Sequence, residues 1–369
     1  MNVLSLTSYN FLPAKMGGQK NIALHNAYLS KYVNLICVTT SSNDVKTAPY
    51  KAINILSESP FRYINIFYFL NLRKIIKEED ITHVIIEHPY FGWLGFLLQK
   101  FCSIKLIIHS HNIESIRFIT LNKWWWKILW YYEKWVHQIA DYSLFITEED
   151  KIYAESFYKL NKEKIAVITY GIEFDRISSL AEKQDAKTFI QSKYQIVDDE
   201  KIILFNGTLN YAPNISAIEN ILQHINPILQ QHKHFKYKIL ICGKGLSKNF
   251  NQLIGEPNII YCGLVDDISI YFKAADIFIN PVFDGGGIKT KIVEALAYNT
   301  TVISTESGAI GIPNKLVNDK LLMVNNGDWK EFSRLIIESN SSAQTPEQFY
   351  QHFYWGNIAE KTYQILQQI

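Results

Sequence analysis

The chain has 369 residues, too many for one hydrophobic core of ordinary size, so its length indicates two domains. Hydrophobic residues make up 48% and charged residues 20%, the balance of a globular protein. A net charge of +2, with arginine scarce, argues against a nucleic-acid partner.

The four cysteines form no C-x-x-C pair, which indicates buried free thiols in a reducing compartment. No apolar run reaches the ~18 residues of a membrane-spanning helix. The N-terminus lacks the basic region of a signal peptide and reads as a first strand. We therefore expect a cytoplasmic protein.

Short apolar runs of strand type alternate with helical patterns along the chain. The first half contains predicted strands at 3–6, 34–38, 83–87, 105–109, 143–146 and 165–168, with helices at 19–30 and 63–77. The second half contains predicted strands at 202–205, 237–242, 258–261, 276–279, 301–304 and 321–324. This alternation predicts two doubly wound α/β domains with parallel sheets, joined in the polar segment 170–195.

The loops that follow the strands are the candidate ligand-binding segments, because open parallel sheets bind ligands at the carboxyl ends of their strands. In the first half, Gly17 and Gly18 precede a helix, either to admit a ligand or as a plain strand–helix connection. Polar side chains then follow two strands. They are Glu87, His88, His109, His111, Glu114 and Arg117.

These side chains admit three interpretations. His109 and His111 could bind a metal, but no third ligand stands at a familiar spacing. They could also be loop histidines with ordinary hydrogen-bond partners. We favour hydrogen bonding to a polyhydroxylated or anionic substrate.

The second half offers neutral donors after its strands. Gly207 and Thr208 lie between a strand and a helix that has proline at its start. Gly243 begins another glycine turn, and Val265 follows the next strand, at an edge that could hold a base through backbone hydrogen bonds.

A glycine run, Gly285 to Gly287, leads from a strand into a helical pattern that begins near Ile288. Free N–H groups at such a helix start suit a phosphate, which the helix dipole also favours. Lys289 and Lys291 oppose that dipole, so a bound diphosphate would explain them, and Glu294 could reach the same pocket. The alternative is a tight turn with surface lysines.

Together these motifs, from Asn206-Gly-Thr-Leu-Asn to Gly-Gly-Gly-Ile-Lys-Thr-Lys-Ile-Val-Glu294, resemble the family-4 (group 1) retaining glycosyltransferases. The resemblance implies a GT-B fold, with two Rossmann-like domains facing a central cleft. It implies an acceptor-side domain at 1–172 with a crossover helix at 353–369, and a nucleotide-sugar domain at 173–352.

The resemblance also implies roles for individual residues. Glu294 would bind the donor ribose, and the amides of Gly286, Gly287 and Ile288 would meet the diphosphate. The remaining donor-binding residues would be Gly18, Gly207, Thr208, Gly243 and Val265. His111 would lie near the transferred sugar. From the residues themselves, we expect Lys289 and Lys291 to be catalytic with His111, and we expect acceptor binding to involve Glu87, His88, His109, Glu114 and Arg117.

Two positions depart from the family pattern. The usual glutamate eight residues before Glu294 is Gly286 here, and the usual Arg and Lys after the first strand of the second domain are absent near Gly207. Lys289 and Lys291 are candidate substitutes for those cations.

We therefore expect a metal-independent, retaining transfer of a sugar from a nucleotide-diphosphate sugar to a glycan or lipid-linked glycan, with no cofactor. No Asp-x-Asp pair stands at a strand end to hold a metal. A non-catalytic nucleotide-sugar-binding subunit and a sugar-nucleotide epimerase are the competing functions.

The segment Lys123–Ala140 is rich in tryptophan and lysine. It is either a core-packed helix or an interfacial element, because Trp and Lys together favour the headgroup region of a membrane. The second interpretation would place the protein peripherally on the inner face of the plasma membrane.

Overall fold

A computed structural model describes residues 1–14, 17–247, 250, 256–283, 286–339 and 343–369. The chain divides into two compact units. The N-terminal unit contains residues 1–173, 286–288 and 352–369, and the C-terminal unit contains residues 174–285 and 289–351.

Within its described residues, the N-terminal unit has a parallel sheet of seven strands in the order β3-β2-β1-β4-β5-β6-β7. The strands are β1 (Asn2–Thr7), β2 (Asn34–Thr40), β3 (Lys51–Leu56), β4 (His83–Glu87), β5 (Lys105–Ser110), β6 (Tyr142–Phe145) and β7 (Ile165–Val167). The central strands are buried on both faces, as continuous apolar runs in a parallel sheet require.

The C-terminal unit has a second parallel sheet, with six strands among its described residues in the order β10-β9-β8-β11-β12-β13. They are β8 (Lys201–Asn206), β9 (Tyr237–Cys242), β10 (Ile259–Gly263), β11 (Ile277–Asn280), β12 (Thr301–Thr305) and β13 (Leu321–Val324).

Helices cover the sheets in both units. They are α1 (Gly17–Leu29), α2 (Phe67–Glu78), α3 (Gly92–Cys102), α4 (Glu114–Thr120), α5 (Trp126–Ile139), α6 (Glu148–Tyr153), α7 (Leu180–Tyr194), α8 (Ala212–Asn220), α9 (Asn226–Gln231), α10 (Ile268–Ala274), α11 (Thr290–Ala297), α12 (Trp329–Glu338), α13 (Glu347–Phe353) and α14 (Trp355–Gln368). The predicted alternation of strands and helices is confirmed.

The last helix, α14, packs within the N-terminal unit. Trp355 is fully buried, and a Cβ on Gly171 would lie 2.5 Å from its indole ring. His25 Nε2 on α1 lies 3.1 Å from Thr362 Oγ1. This packing fixes α1, which reaches the carboxyl edge of the first sheet.

Two local expectations differ from the structure. The edge strand β3 was not predicted, because its residues are half-exposed and show no apolar run. The segment 170–195, expected as a linker, contains α7, whose capping box pairs Ser179 with Glu182.

Candidate functional site

At the carboxyl edge of the N-terminal sheet, strand register brings three polar residues side by side. Thr7 pairs with Glu87 across β1 and β4, and Glu87 pairs with His109 across β4 and β5. Neighbouring parallel strands end at one edge, so the two loops that the sequence singled out lie next to each other.

Glu87 is the centre of this cluster. Its Oε2 lies 2.7 Å from His111 Nε2 and 3.0 Å from His109 Nδ1, and the carboxylate is buried. Burial alone would raise the pKa of Glu87, but His109 and His111 outweigh it and hold that pKa well below the ordinary value. Burial, reinforced by repulsion from His88, lowers the pKa of His111 to about 3, so its imidazole stays neutral near pH 7.

The other nitrogen of His111 has a partner that the sequence analysis missed. Asn21 on α1 places its amide nitrogen 3.2 Å from His111 Nδ1. The pattern of α1 gave no signal for this contact, because Asn21 is simply one polar residue on a buried face.

His88 joins a second carboxylate. Its Nδ1 lies 3.0 Å from Glu114 Oε1, while Tyr90 Oη and Arg117 Nη1 donate to Glu114 Oε2 at 2.7 and 2.9 Å. Burial would raise the pKa of Glu114, but these partners, led by His88, hold it at about 2. The carboxylate is therefore ionised at neutral pH.

The backbone of His88 is strained. Its φ of 65° with ψ of 156° lies in a region that only glycine adopts freely. Its ring stacks on His111 with centroids 4.3 Å apart. Strain of this kind at a strand end is typical of functional positions.

The side chains of Glu87, His109 and Glu114 are at most 1% exposed. In the structure they therefore orient the less enclosed His88, His111 and Arg117. Direct contact of these three residues with an acceptor stays a prediction.

Among the described residues, one group of side chains has its potential ligand atoms close enough together to bind a metal ion. Ligand atoms of His25, Glu87 and His109 lie within 4.8 Å of one another, and all three residues are buried. The sequence pattern suggests His109 with His111 as possible ligands, whereas His111 is not in this group and its third member, His25, comes from α1.

In the C-terminal unit, three glycine turns meet at the carboxyl edge of the sheet. Gly207 N donates to Cys242 O at 3.1 Å, and Gly243 N donates to Gly263 O at 2.7 Å. Gly243 has φ of 146°, and a Cβ there would lie 1.8 Å from Gly207 O. Only glycine fits this position, which explains the turn after β9.

Lys291 belongs to the same edge. It lies in the first turn of α11, and its Nζ lies 3.0 Å from Asn214 Oδ1 and 3.4 Å from Asn206 O. The ammonium also sits 4.4 Å from the centroid of Phe205. Lys291 thus places an amine at the end of β8. The family that the motifs resemble usually has an Arg and a Lys after this strand.

The electrostatics of Lys291 are unusual. Burial, with repulsion from Lys289, lowers its pKa to about 7. The oxygens near its amine, Asn214 Oδ1 and Asn206 O, are neutral. A neutral oxygen stabilises an ammonium less than a carboxylate does. A bound anion would restore the charge of this group.

The remaining candidates for donor binding lie on α11 and in the loops after β8 and β10. Lys289 is the N-cap residue of α11, and Glu294 lies little more than one turn into that helix. Thr208 O accepts from Asn214 Nδ2 at 3.0 Å, and Val265 follows β10 half-buried.

Two glycines of the predicted phosphate turn are described, and Gly285 lies outside the described residues. Gly286 and Gly287 group with Ile288 in the N-terminal unit. Gly287 has φ of 68°, and a Cβ there would lie 2.4 Å from Asn112 Oδ1. This places the turn beside the residue that follows His111, whereas Gly18 is exposed at the start of α1.

Helices α2, α3 and α5 of the N-terminal unit share an exposed apolar layer. Ring contacts join Phe69 with Phe101, at 5.8 Å, and Phe96 with Trp135, at 5.7 Å. We name as the aromatic–basic surface the exposed residues Phe61, Ile64, Phe67, Leu70, Phe101, Trp124, Ile128 and Tyr131, with Arg73, Lys74, Lys77, Lys100, Lys123 and Lys127.

Helix α5 has both characters considered in the sequence analysis. Leu129, Glu133 and Val136 face the core, whereas Ile128 and Tyr131 are 65% and 69% exposed. Among the described residues, no helix combines the length and apolarity needed to span a bilayer.

Comparison with known proteins gives the family. Residues 28–176 match the description Glycosyltransferase Family 4, and residues 200–339 match Glycosyl transferases group 1. The chain belongs to the family-4 glycosyltransferases. The resemblance inferred from the motifs is thereby confirmed.

Two curated relatives illustrate the match. An uncharacterised glycosyltransferase of Methanocaldococcus jannaschii is 26% identical over 71% of this chain and 67% of its own length. The alpha-monoglucosyldiacylglycerol synthase of Streptococcus pneumoniae is 28% identical over 66% of this chain and 54% of its own length. The match therefore covers about half to two thirds of these relatives.

The fold agrees with that of solved glycosyltransferases. The structure of Anabaena HepE in complex with UDP superposes with a TM-score of 0.75 and 15% identity, covering all of both chains. The expected GT-B fold is confirmed.

Proposed function

We propose that this family-4 glycosyltransferase moves a sugar from a nucleotide-diphosphate sugar to a glycan or lipid-linked glycan, with retention of configuration and without a metal or cofactor. The C-terminal unit would bind the donor and the N-terminal unit the acceptor. The observation that carries the proposal is the half-buried amine of Lys291, which lies at the end of β8 beside the neutral oxygens of Asn206 and Asn214.

Lys291 supports leaving-group stabilisation. When the bond between the sugar and the diphosphate breaks, negative charge develops on the diphosphate oxygens. A cation held in a poorly solvated place interacts strongly with such charge, and a single preorganised donor is worth roughly 2–4 kcal/mol of barrier. Lys289 and the amides of Gly286, Gly287 and Ile288 would add to this effect, in place of a metal.

The donor class is supported by the glycine turns and by the comparisons. Gly207, Gly243 and the start of α11 bring backbone close to one sheet edge, where a nucleotide diphosphate could approach. Anabaena HepE, of the same fold, binds UDP. We propose that Glu294 binds the ribose and that the backbone near Val265 meets the base.

The N-terminal cluster supports acceptor binding. His111 is neutral and fixed at both ring nitrogens, so it presents its ring in one orientation. We propose that His88, His111 and Arg117 contact sugar hydroxyls or an anionic group, and that Glu87, His109 and Glu114 hold them in place.

A nucleotide-sugar panel tests the function. The protein is incubated with UDP-, GDP- and ADP-sugars, with and without lipid-linked and soluble glycan acceptors, and nucleotide release is measured. Acceptor-dependent release, with product anomers assigned by NMR, is expected. Binding without release from any donor would instead indicate a non-catalytic nucleotide-sugar-binding subunit.

We further propose that the aromatic–basic surface rests on an anionic membrane, which would bring the protein to lipid-linked acceptors. Trp124 is 84% exposed and Phe61 is 75% exposed, and the exposed Lys123 and Lys127 are near Trp124 in sequence. Lys127 Nζ lies 5.6 Å from the ring of Trp126. Each cation near an anionic surface contributes about 1 kcal/mol, and apolar side chains add burial in the interface.

Vesicle sedimentation tests this second proposal. Wild-type protein should pellet with vesicles of phosphatidylglycerol and phosphatidylcholine at low salt, and less with phosphatidylcholine alone. The double variant F67S/W124S should pellet much less. L264S is the matched control, because Leu264 is 73% exposed in the C-terminal unit. Equal pelleting of all variants, or none by wild type, would overturn the proposal.

A further inference from the structure

Glu133 is a carboxylate inside the core of the N-terminal unit. It lies on the buried face of α5 and has no exposed surface. A buried carboxylate is costly unless every oxygen has partners, so its partners indicate why it is there.

Its partners are the first two amides of α4. Glu133 Oε1 accepts from Glu114 N at 2.8 Å, and Oε2 accepts from Ser115 N at 3.0 Å. The N-cap residue of α4 is Ile113, whose side chain has no acceptor. Glu133 therefore caps α4 from another helix, using the donors that a local Ser or Asp would normally satisfy.

The first residue of α4 is Glu114, whose carboxylate contacts the ring of His88. Glu114 Oε1 lies 3.0 Å from His88 Nδ1, and the His88 ring stacks on His111 at 4.3 Å. A change in the position of the α4 start moves the Glu114 backbone, and with it the group that orients His88. The connection runs from Glu133 through Glu114 to the histidine pair.

We propose that Glu133 is a positioning residue for the transfer reaction: by capping α4 it fixes Glu114 and, through Glu114, the orientation of the His88–His111 pair. The reaction itself rests on the proposed function, but the orientation of the histidines does not. Misplacing a catalytic group by about 1 Å can cost a rate factor of about 10².

A matched control exists at the same carboxylate. Tyr158 Oη donates to Glu133 Oε2 at 2.8 Å. The variant Y158F removes this hydrogen bond but leaves both α4 amides capped. A general loss of core stability would affect Y158F and E133Q alike, whereas a positioning role separates them.

Histidine ring NMR on the full chain, labelled with ¹⁵N-histidine, tests the proposal. Resonances are assigned with H88N and H111N, and thermal unfolding is measured for each variant. In E133Q one oxygen becomes an amide nitrogen that faces an N–H group, so the α4 cap is broken. The ring resonances of His88 and His111 should shift in E133Q and stay at wild-type positions in Y158F.

Where transfer is measurable, E133Q should lower kcat about 10- to 100-fold with little change in donor KM. E133D, which keeps the charge but shortens the reach by one methylene, should show smaller changes of the same kind. Unmoved histidine resonances in E133Q would overturn the proposal. So would failure of both E133Q and E133D to fold, which would make Glu133 a folding residue.

The two proposals fail separately. Shifted resonances in E133Q together with no transfer by wild type would leave the positioning intact and reject the proposed function. Transfer by wild type together with unmoved resonances in E133Q would support the proposed function and reject the positioning role of Glu133.

Discussion

Lys291 titrates in the range where the protein would work. Burial lowers the pKa of its ammonium to about 7, and a bound diphosphate would raise that pKa. Affinity for a nucleoside diphosphate should therefore be greatest below pH 7 and fall as the pH rises to 9, by about tenfold or more. Calorimetric titration of UDP, GDP and ADP at several pH values measures this change.

The variants at this position separate charge from shape. K291R keeps a cation that does not titrate, so its affinity should lose most of the pH dependence. K291A should bind weakly at every pH and lower kcat by roughly 10²-fold or more. Wild-type turnover in both K291A and K289A would show that neither lysine stabilises the leaving diphosphate.

Glu294 should act on donor binding more than on chemistry. A carboxylate that accepts two ribose hydroxyls contributes about 1.5–3 kcal/mol, more than a neutral amide would. E294Q should therefore raise donor KM about tenfold or more, with a smaller effect on kcat. An unchanged donor KM would reject the ribose assignment.

Glu133 should make the folding stability pH-dependent. Burial raises its pKa from 4.5 to about 7, although the α4 amides and Tyr158 oppose that rise. The folded state therefore holds this proton more tightly than the unfolded state, and the contribution of Glu133 is full below pH 4.5. That contribution is lost as the pH rises to about 7, a change of about 3 kcal/mol.

Comparison of wild type with E133Q isolates this effect. Buried His25, His111 and His137, whose pKa values are lowered to about 3, act in the opposite direction and make stability rise between pH 3 and 6.5. Because both proteins contain these histidines, the difference in urea unfolding free energy between them should decrease from pH 5 to 7.5. A constant difference would contradict the assignment.

At the scale of elements, the turn after β9 depends on one glycine. A Cβ at Gly243 would meet Gly207 O at 1.8 Å, and φ of 146° strains any other residue. G243A should destabilise the C-terminal unit by about 1–3 kcal/mol and weaken nucleotide binding. The control is G327A, where a Cβ would meet nothing within 4 Å at φ of 86°. Equal nucleotide affinity in the two variants would show that the turn is not part of the site.

Elements with a strong local pattern were predictable from the sequence, and those without one were not. The buried strand β9 was predicted with its observed ends, because five of its six residues are apolar and four of them are consecutive. Strand β3 pairs along one side only and leaves side chains in water, so its sequence resembles a loop. Helix α7 was missed because its apolar residues follow no face, although Ser179 and Glu182 mark its start.

The site shows the same limit. His111 and Lys291 could be singled out because each stands in a local motif at a strand or helix end. Their partners Asn21 and Asn214 come from elsewhere in the chain, 90 and 77 residues away. Glu133 carried no local signal either, since its role comes from α4 packing against α5. Contacts of this kind need the folded chain.

At the scale of the whole molecule, the proposed chemistry assigns to protein cations and amides the work that a metal does in other transferases. Lys289 and Lys291 would neutralise the leaving diphosphate, so activity should survive excess EDTA. The His25, Glu87 and His109 group makes this a sharp test, because its ligand atoms lie within 4.8 Å of one another.

The test measures transfer and metal content on the same sample. Protein dialysed against EDTA is assayed for turnover and analysed for zinc, manganese and magnesium by mass spectrometry. We expect full turnover and no stoichiometric metal, because His109 and His111 already lie within hydrogen-bond distance of the Glu87 carboxylate. Complete loss of activity that Mg²⁺ or Mn²⁺ restores would overturn metal independence. Stoichiometric zinc that resists EDTA in active protein would assign a structural metal to the His25 group and leave the lysine mechanism in place.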